Sequence, residues 1–341
     1  MKLRTILLAA AIILAASATV GCKKEKEDPV KPYLDGKMAF TIDKYIAPGT
    51  KVVLEASGAK HQEDKEIGYS WYVTPGMEKA DTVKTEEQTD RTSRFEYTFG
   101  EELRTYSVSV SAFATGYYPI SKSELTTTVK GGLNGSISEH GIKDTDLSFT
   151  DTRDDKVYYY TTINGVDWMR QNLAFEGAGI PFDNYKVMTD VYGMYYNWEE
   201  ANTVCPSGWQ LPSEEDIKNL ATALGGKTDN NGSKDYRGIT GKMMVDAKFN
   251  GQKLWEFWPE NKITGESKLA FLPAGYADRE SGRVYEQGSF SVFWTSSESK
   301  DGQGMYRYIV NKEIGNPDLL SGKGDKKTFA ANVRCIRVEE E

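Results

Sequence analysis

Histidine is almost missing from this chain: His61 and His140 are the only two among 341 residues. General acid–base catalysis and zinc coordination lean on histidine more than on any other side chain, so both are disfavoured at the outset. Basic excess is missing too. Lys and Arg number 42 against 50 Asp and Glu, a net charge of −8, and a nucleic-acid partner would call for the opposite balance. Beyond an apolar run over residues 6–14 there is no stretch approaching the ~20 apolar residues of a membrane span. Cysteine is limited to Cys22, Cys205 and Cys335. What the chain does have is 39% hydrophobic residues, 12% aromatics and 32 glycines, the make-up of a folded globular protein. Its length suits two or three domains of roughly 100–200 residues.

Lys2 and Arg4 precede the apolar run, which gives way to the small residues 15–21 and then Cys22, the layout of a secretory signal peptide. Thr19-Val20-Gly21-Cys22 resembles the bacterial lipobox. That resemblance implies a lipoprotein signal peptide over residues 1–21, with Cys22 diacylated, and a lipidated tether over 22–36. Cleavage would remove Lys2, Arg4 and the apolar run, and no second run of spanning length follows, so lipid alone would hold the mature chain to a membrane. The acidic cluster after Cys22 resembles the export signal of Bacteroidota surface lipoproteins, so an outer-membrane, cell-surface location is expected. Cys205 and Cys335 remain as an even pair, which in an oxidising compartment reads as one disulfide; two separate buried thiols are the other reading.

Residues 37–132 alternate at period two. Lys51–Glu55 is one such strand; Tyr69, Trp71 and Val73 share a face, as do Phe95, Tyr97 and Phe99, and Tyr106, Val108, Val110 and Ala112. Six or seven short strands in about 100 residues predict an all-β immunoglobulin-like sandwich, similar in architecture to PKD domains, with 85–94 as a solvated connection. The glycines of 131–135 mark a boundary. In residues 133–341, Asn164-Gly165 predicts a type I′ hairpin turn. Ser213 followed by Glu214, Glu215 and Asp216 predicts a capped helix, with Ile217, Leu220, Ala221 and Leu224 on one face and Gly225 closing it. A second short helix is expected near Asn197. The fold class expected here is α+β.

Seven blocks carry a family resemblance: Asp151 to Lys156, Trp168-Met169 to Leu173, Tyr192-Gly193 to Trp198, Cys205-Pro206 to Ser213, Leu272-Pro273 to Tyr276, Phe293-Trp294 to Glu298, and Val333-Arg334-Cys335. Together they resemble the Fibrobacter succinogenes major paralogous domain, which implies a C-type-lectin-like fold. Gln210 stands where that family often has His, and Asp155 where it has Gly.

The loop 229–235 offers oxygen ligands at alternating positions but lacks the glycine and bidentate Glu spacing of an EF-hand, so it reads as a polar turn and no metal or cofactor is expected. Glu199-Glu200 and Glu214-Glu215-Asp216 are adjacent acids that point apart or cap a helix, unlike the facing carboxylates of glycosidases. No Gly-x-Ser-x-Gly elbow occurs. Six of the seven tryptophans fall after residue 133; Trp168, Trp198, Trp209 and Trp294 sit in the family blocks and read as core. Trp255, Trp258, Arg279, Arg283 and Tyr285 lie outside those blocks or between them and are the candidate ligand-binding residues. The expected protein is therefore a non-enzymatic surface lipoprotein whose C-terminal head binds a glycan or a surface protein. The other reading is a structural fimbrial-tip or envelope assembly subunit.

Overall fold

The computed structural model describes residues 30–76, 88–90, 93–138, 140–228, 235–256, 262–310 and 318–338. The segment read as a signal peptide, Cys22, Trp258 and all of the 229–235 loop except Asp235 lie outside them.

In the N-terminal unit, alternation becomes alternating burial. Along Thr105–Phe113 the side chains of Tyr106, Val108, Val110 and Ala112 are buried while those between them are half-buried. This strand is the centre of a five-stranded sheet, flanked by Gly68–Pro75 and Ile120–Thr128, with Gln88–Asp90 and Tyr45–Ile46 at the edges. Part of the segment expected as a solvated connection thus pairs with Tyr69–Trp71. Lys51–Glu55 and Arg94–Thr98 form a separate antiparallel pair, and Phe95 brings its ring against Trp71 of the larger sheet at 5.2 Å. Trp71, Val73, Phe95, Phe99 and Val110 make one core.

The α+β C-type-lectin-like expectation is overturned. Among the described residues strand accounts for about 43% and helix for about 10%, and the strands fall into several small sheets. The reason is visible in the periodicity. The 3.6-residue pattern with a cap occurs once, and Glu214–Ala223 is the only helix longer than four residues among those described. Its Ser213–Asp216 capping box and buried Ile217, Leu220 and Ala221 follow the sequence. The cap at Asn197 also forms, but the helix it starts stops after Ala201. Aromatic and β-branched segments fill the rest. Ser148–Asp151, Lys156–Ile163, Val166–Met169 and Ile336–Val338 make a four-stranded antiparallel sheet, with Asn164 and Gly165 both at positive φ in the hairpin turn. A five-stranded sheet runs Lys227–Thr228, Tyr236–Arg237, Leu319–Gly324, Gly304–Val310, Phe290–Glu298. A three-stranded one runs Val284–Tyr285, Tyr276–Asp278, Phe329–Ala330.

Contacts continue across the 131–135 glycines. Tyr45 sets its ring edge-on against Phe182 and Tyr185, Lys44 pairs with Asp183 at 3.6 Å, and Val129 is buried in the same core as Tyr192 and Tyr195.

Residues 331–336 run through the middle of the C-terminal unit. Tyr196 and Ala331 bond reciprocally, Trp294 donates to the Asn332 carbonyl, Leu173 to that of Val333, Met169 to that of Cys335, and Gln210 and Ile336 pair. Cys335 is joined to Cys205, with Cα atoms 5.9 Å apart, closing a loop of 130 residues. Between Val333 and Cys335, the side chain of Arg334 is fully buried. Its guanidinium donates to Asn172 Oδ1 at 2.8 Å, to the carbonyls of Met169 and Ala270 at 3.3 and 3.1 Å, and to that of Leu269, while lying over the Phe271 ring. Burial, aided by Arg170, pushes its pKa down to about 9, so the group stays cationic at neutral pH. Arg334→Met would keep the volume and leave these oxygens without their donor, and an expected loss of about 3–5 kcal/mol follows. Urea denaturation checks it; a loss under about 1 kcal/mol would show that the oxygens find other partners.

Candidate ligand-binding face

The five-stranded sheet has a different core on each side. One face, with Phe293, Ile309 and Leu319, packs under the helix Glu214–Ala223, and Arg307 on the same side pairs with Glu214. The other face carries Val292 and Trp294 opposite Tyr308 and Tyr306. Trp294 is buried and donates from Nε1 to the Tyr196 carbonyl at 2.7 Å. Tyr306, Tyr308 and Phe290, further along, are only half-buried.

The three-stranded sheet extends this face. Tyr285 stacks on Tyr276 with centroids 5.6 Å apart, Tyr276 on Phe329 at 5.1 Å, and Phe329 on Tyr306 at 4.8 Å. Tyr308 adjoins Tyr306 at 5.9 Å and stacks on Phe290 at 5.5 Å. Spacings of this size between nearly parallel rings describe an offset stack. Two glycines make room for it: a Cβ on Gly322 would fall 2.3 Å from the Tyr306 ring, and one on Gly324 would fall 2.8 Å from that of Phe329.

The hydroxyls of Tyr276, Tyr285, Tyr306 and Tyr308 make no hydrogen bond to any described residue, and none is a buried orphan, so they reach water. Burial raises the Tyr306 pKa, with Tyr308 and Tyr276 adding to it; burial and then Asp235 raise that of Tyr308. Both phenols are therefore neutral donor-acceptors at physiological pH.

Residues 161–337 match the Fibrobacter succinogenes major domain (Fib_succ_major), a little over half of the chain. The chain belongs to that family. All rings of the tyrosine face lie inside the Fib_succ_major domain, whereas His140 and the strand Ser148–Asp151 precede it. No curated protein matches the chain. Among solved structures, the Yersinia pseudotuberculosis adhesin InvE is similar at 12% identity, with 90% of this chain and 71% of that one covered and a TM-score of 0.25, a level below that of a common fold.

Of the candidate residues read from the sequence, Arg283 and Tyr285 come together, the Arg283 guanidinium lying 5.2 Å from the ring centroid. Tyr285 is 38% exposed. Arg279 is half-buried and tied to Glu200, with Nη2 donating to Oε1 at 2.8 Å. Burial would raise the Glu200 carboxyl, but Arg279 and the Asn197 amide outweigh it and hold it below the usual range. Asp278 accepts from the Ser281 amide and hydroxyl, which shapes the turn carrying Arg283.

Trp255 is corrected. It is 2% exposed and sits in the core with Trp168, Phe271 and Phe293, so its ring cannot meet a ligand. The neighbouring Leu254 is buried as well, where the sequence suggested a surface platform. Tyr276, Tyr306, Tyr308 and Phe329 were not among the candidates. The local sign was the Tyr306-Arg307-Tyr308 alternation, which sets two rings on one face and a buried arginine on the other. In the Fib_succ_major domain, Trp255→Ala should cost about 3–5 kcal/mol and Tyr285→Ala no more than about 1 kcal/mol. Equilibrium unfolding in urea ranks them, and the reverse order would contradict this placement.

Proposed function

We propose that this protein is a non-catalytic surface lipoprotein that recognises a glycan through the tyrosine face of its Fib_succ_major domain. The observation that supports this most is the row of four hydroxyls without partners among the described residues, carried on rings already fixed by stacking. Tyrosine gives large amphipathic contact at low entropic cost, which is why binding surfaces favour it. A saccharide suits such a face. Its hydroxyls would exchange hydrogen bonds with the phenols and with Arg283, and its C–H groups would lie against ring carbons. An exposed cation–π contact is worth only about 0.5–1 kcal/mol, so Arg283 can leave Tyr285 for a ligand. Of the carboxylates near the face, Glu200 is engaged by Arg279, Asp278 by Ser281 and Asp235 by Ser321, which supports binding without hydrolysis. The lipobox-like tetrapeptide supports anchoring at Cys22 in the outer membrane with the domain held outside the cell.

The full chain on a glycan array tests the ligand class. Tyr285→Ala and Tyr308→Ala should each weaken the bound glycan at least tenfold while the melting temperature stays near wild type. A blank array would overturn the glycan assignment, and binding unaltered in both variants would overturn the face. Anchoring is tested separately: Cys22→Ser should leave an unprocessed precursor or move the protein out of the membrane fraction. A cleaved, acylated and membrane-bound variant would contradict it.

A further inference from the structure

A cavity lies away from the tyrosine face, where residues 130–133 pass the four-stranded sheet of the C-terminal unit. Its volume is about 510 Å³, within the roughly 300–1,000 Å³ of small-molecule sites. Leu133, Ile137, Ile142, Val157, Val191 and Leu272 supply apolar wall. Its charged lining is mainly cationic: Lys130, Lys156 and Arg170 against Asp190.

These groups differ in how far they are already committed. Arg170 is closed off by Asp146 at 2.6 Å and by the carbonyls of Lys268 and Gly141. Lys156 donates to the Ala174 carbonyl at 2.7 Å and pairs with Asp190 at 2.9 Å. Lys130 has no carboxylate partner among the described residues, and its side chain is exposed at the rim. His140 completes the set. Its Nδ1 accepts from the Ile142 amide at 2.8 Å, so the proton of the neutral ring belongs on Nε2, which has no acceptor among the described residues. Burial and then Arg170 lower the His140 pKa, keeping the ring neutral at physiological pH.

From this lining, an apolar cavity with the carboxylate-free Lys130 and the neutral His140 on its wall, we infer a second binding site, independent of the tyrosine face, for a small amphipathic carboxylate. The carboxylate meets Lys130 and the His140 Nε2–H, and the apolar body lies along Leu133, Val157 and Leu272. Asp190, already bonded to Lys156, adds no free negative charge beyond that pair.

Calorimetric titration of the full chain with decanoate, decanol and decylammonium tests the assignment. Decanoate should bind one to one, with decanol at least tenfold weaker and decylammonium weaker still. His140→Ala and Lys130→Ala should each weaken decanoate about fivefold to tenfold without moving the melting temperature. Leu133→Trp should block it, and Val157→Trp, at a half-exposed position, gives the same test should the first variant fail to fold. Absence of saturable decanoate binding, equal affinity for decanol, or undiminished binding in a folded tryptophan variant would each overturn the proposal.

Discussion

Arg334 is a cation 1% exposed that pairs with no carboxylate among the described residues. A guanidinium cannot be left dry without acceptors, because desolvating it costs several kcal/mol. Its acceptors are a side-chain amide and backbone carbonyls from two separate stretches, Met169 with Asn172 and Leu269 with Ala270. Neither the 171–173 nor the 269–270 stretch is in a strand or helix. The buried charge thus draws both stretches together, beside the backbone bonds of Leu173 to Val333 and Met194. Asn172 is held in turn, donating from Nδ2 to the Tyr192 carbonyl. The disulfide to Cys205 fastens the next residue, and in the chain-entropy model a loop of that length contributes about 4–5 kcal/mol.

That central segment explains why a unit with so little helix keeps its shape. Small sheets of two to five strands bury little by themselves, and here three cores meet along residues 330–336: Ala331, Val333 and Cys335 enter one, Ile336 another, and Ala330 a third. Phe329 immediately precedes it, so the ring joining Tyr276 to Tyr306 is placed by the same segment. The tyrosine face is the unfinished edge of a core: Trp294 closes its inner end, and the rings beyond it progressively reach solvent.

Local features were legible in the sequence. The Asn164-Gly165 turn, the Ser213 cap and the apolar stripe of the helix it starts, and the alternation along Thr105–Phe113 all depend on residues close together in the chain. The fold class was misjudged because a good cap, as at Asn197, says where a helix begins and nothing about how soon packing ends it. The candidate site was half legible. Arg283 and Tyr285 stand out as charge and aromatic beside a glycine turn, but their partners come from positions 276, 306, 308 and 329, and no local pattern joins strands so far apart. Trp255 misled for the complementary reason: an aromatic outside the family blocks looks free until the core it shares with Trp168, Phe271 and Phe293 is known.

The central claim is that ligand meets this protein on the stacked tyrosines. Solution NMR of the full chain, labelled with 13C in its tyrosine and phenylalanine rings and titrated with a saccharide selected from the array, addresses it most directly. The account predicts shifts concentrated on Tyr276, Tyr285, Tyr306, Tyr308 and Phe329, with the buried rings of Trp71's core, such as Phe95 and Phe99, unmoved. Shifts confined to the N-terminal unit, or to rings away from this face, would contradict it.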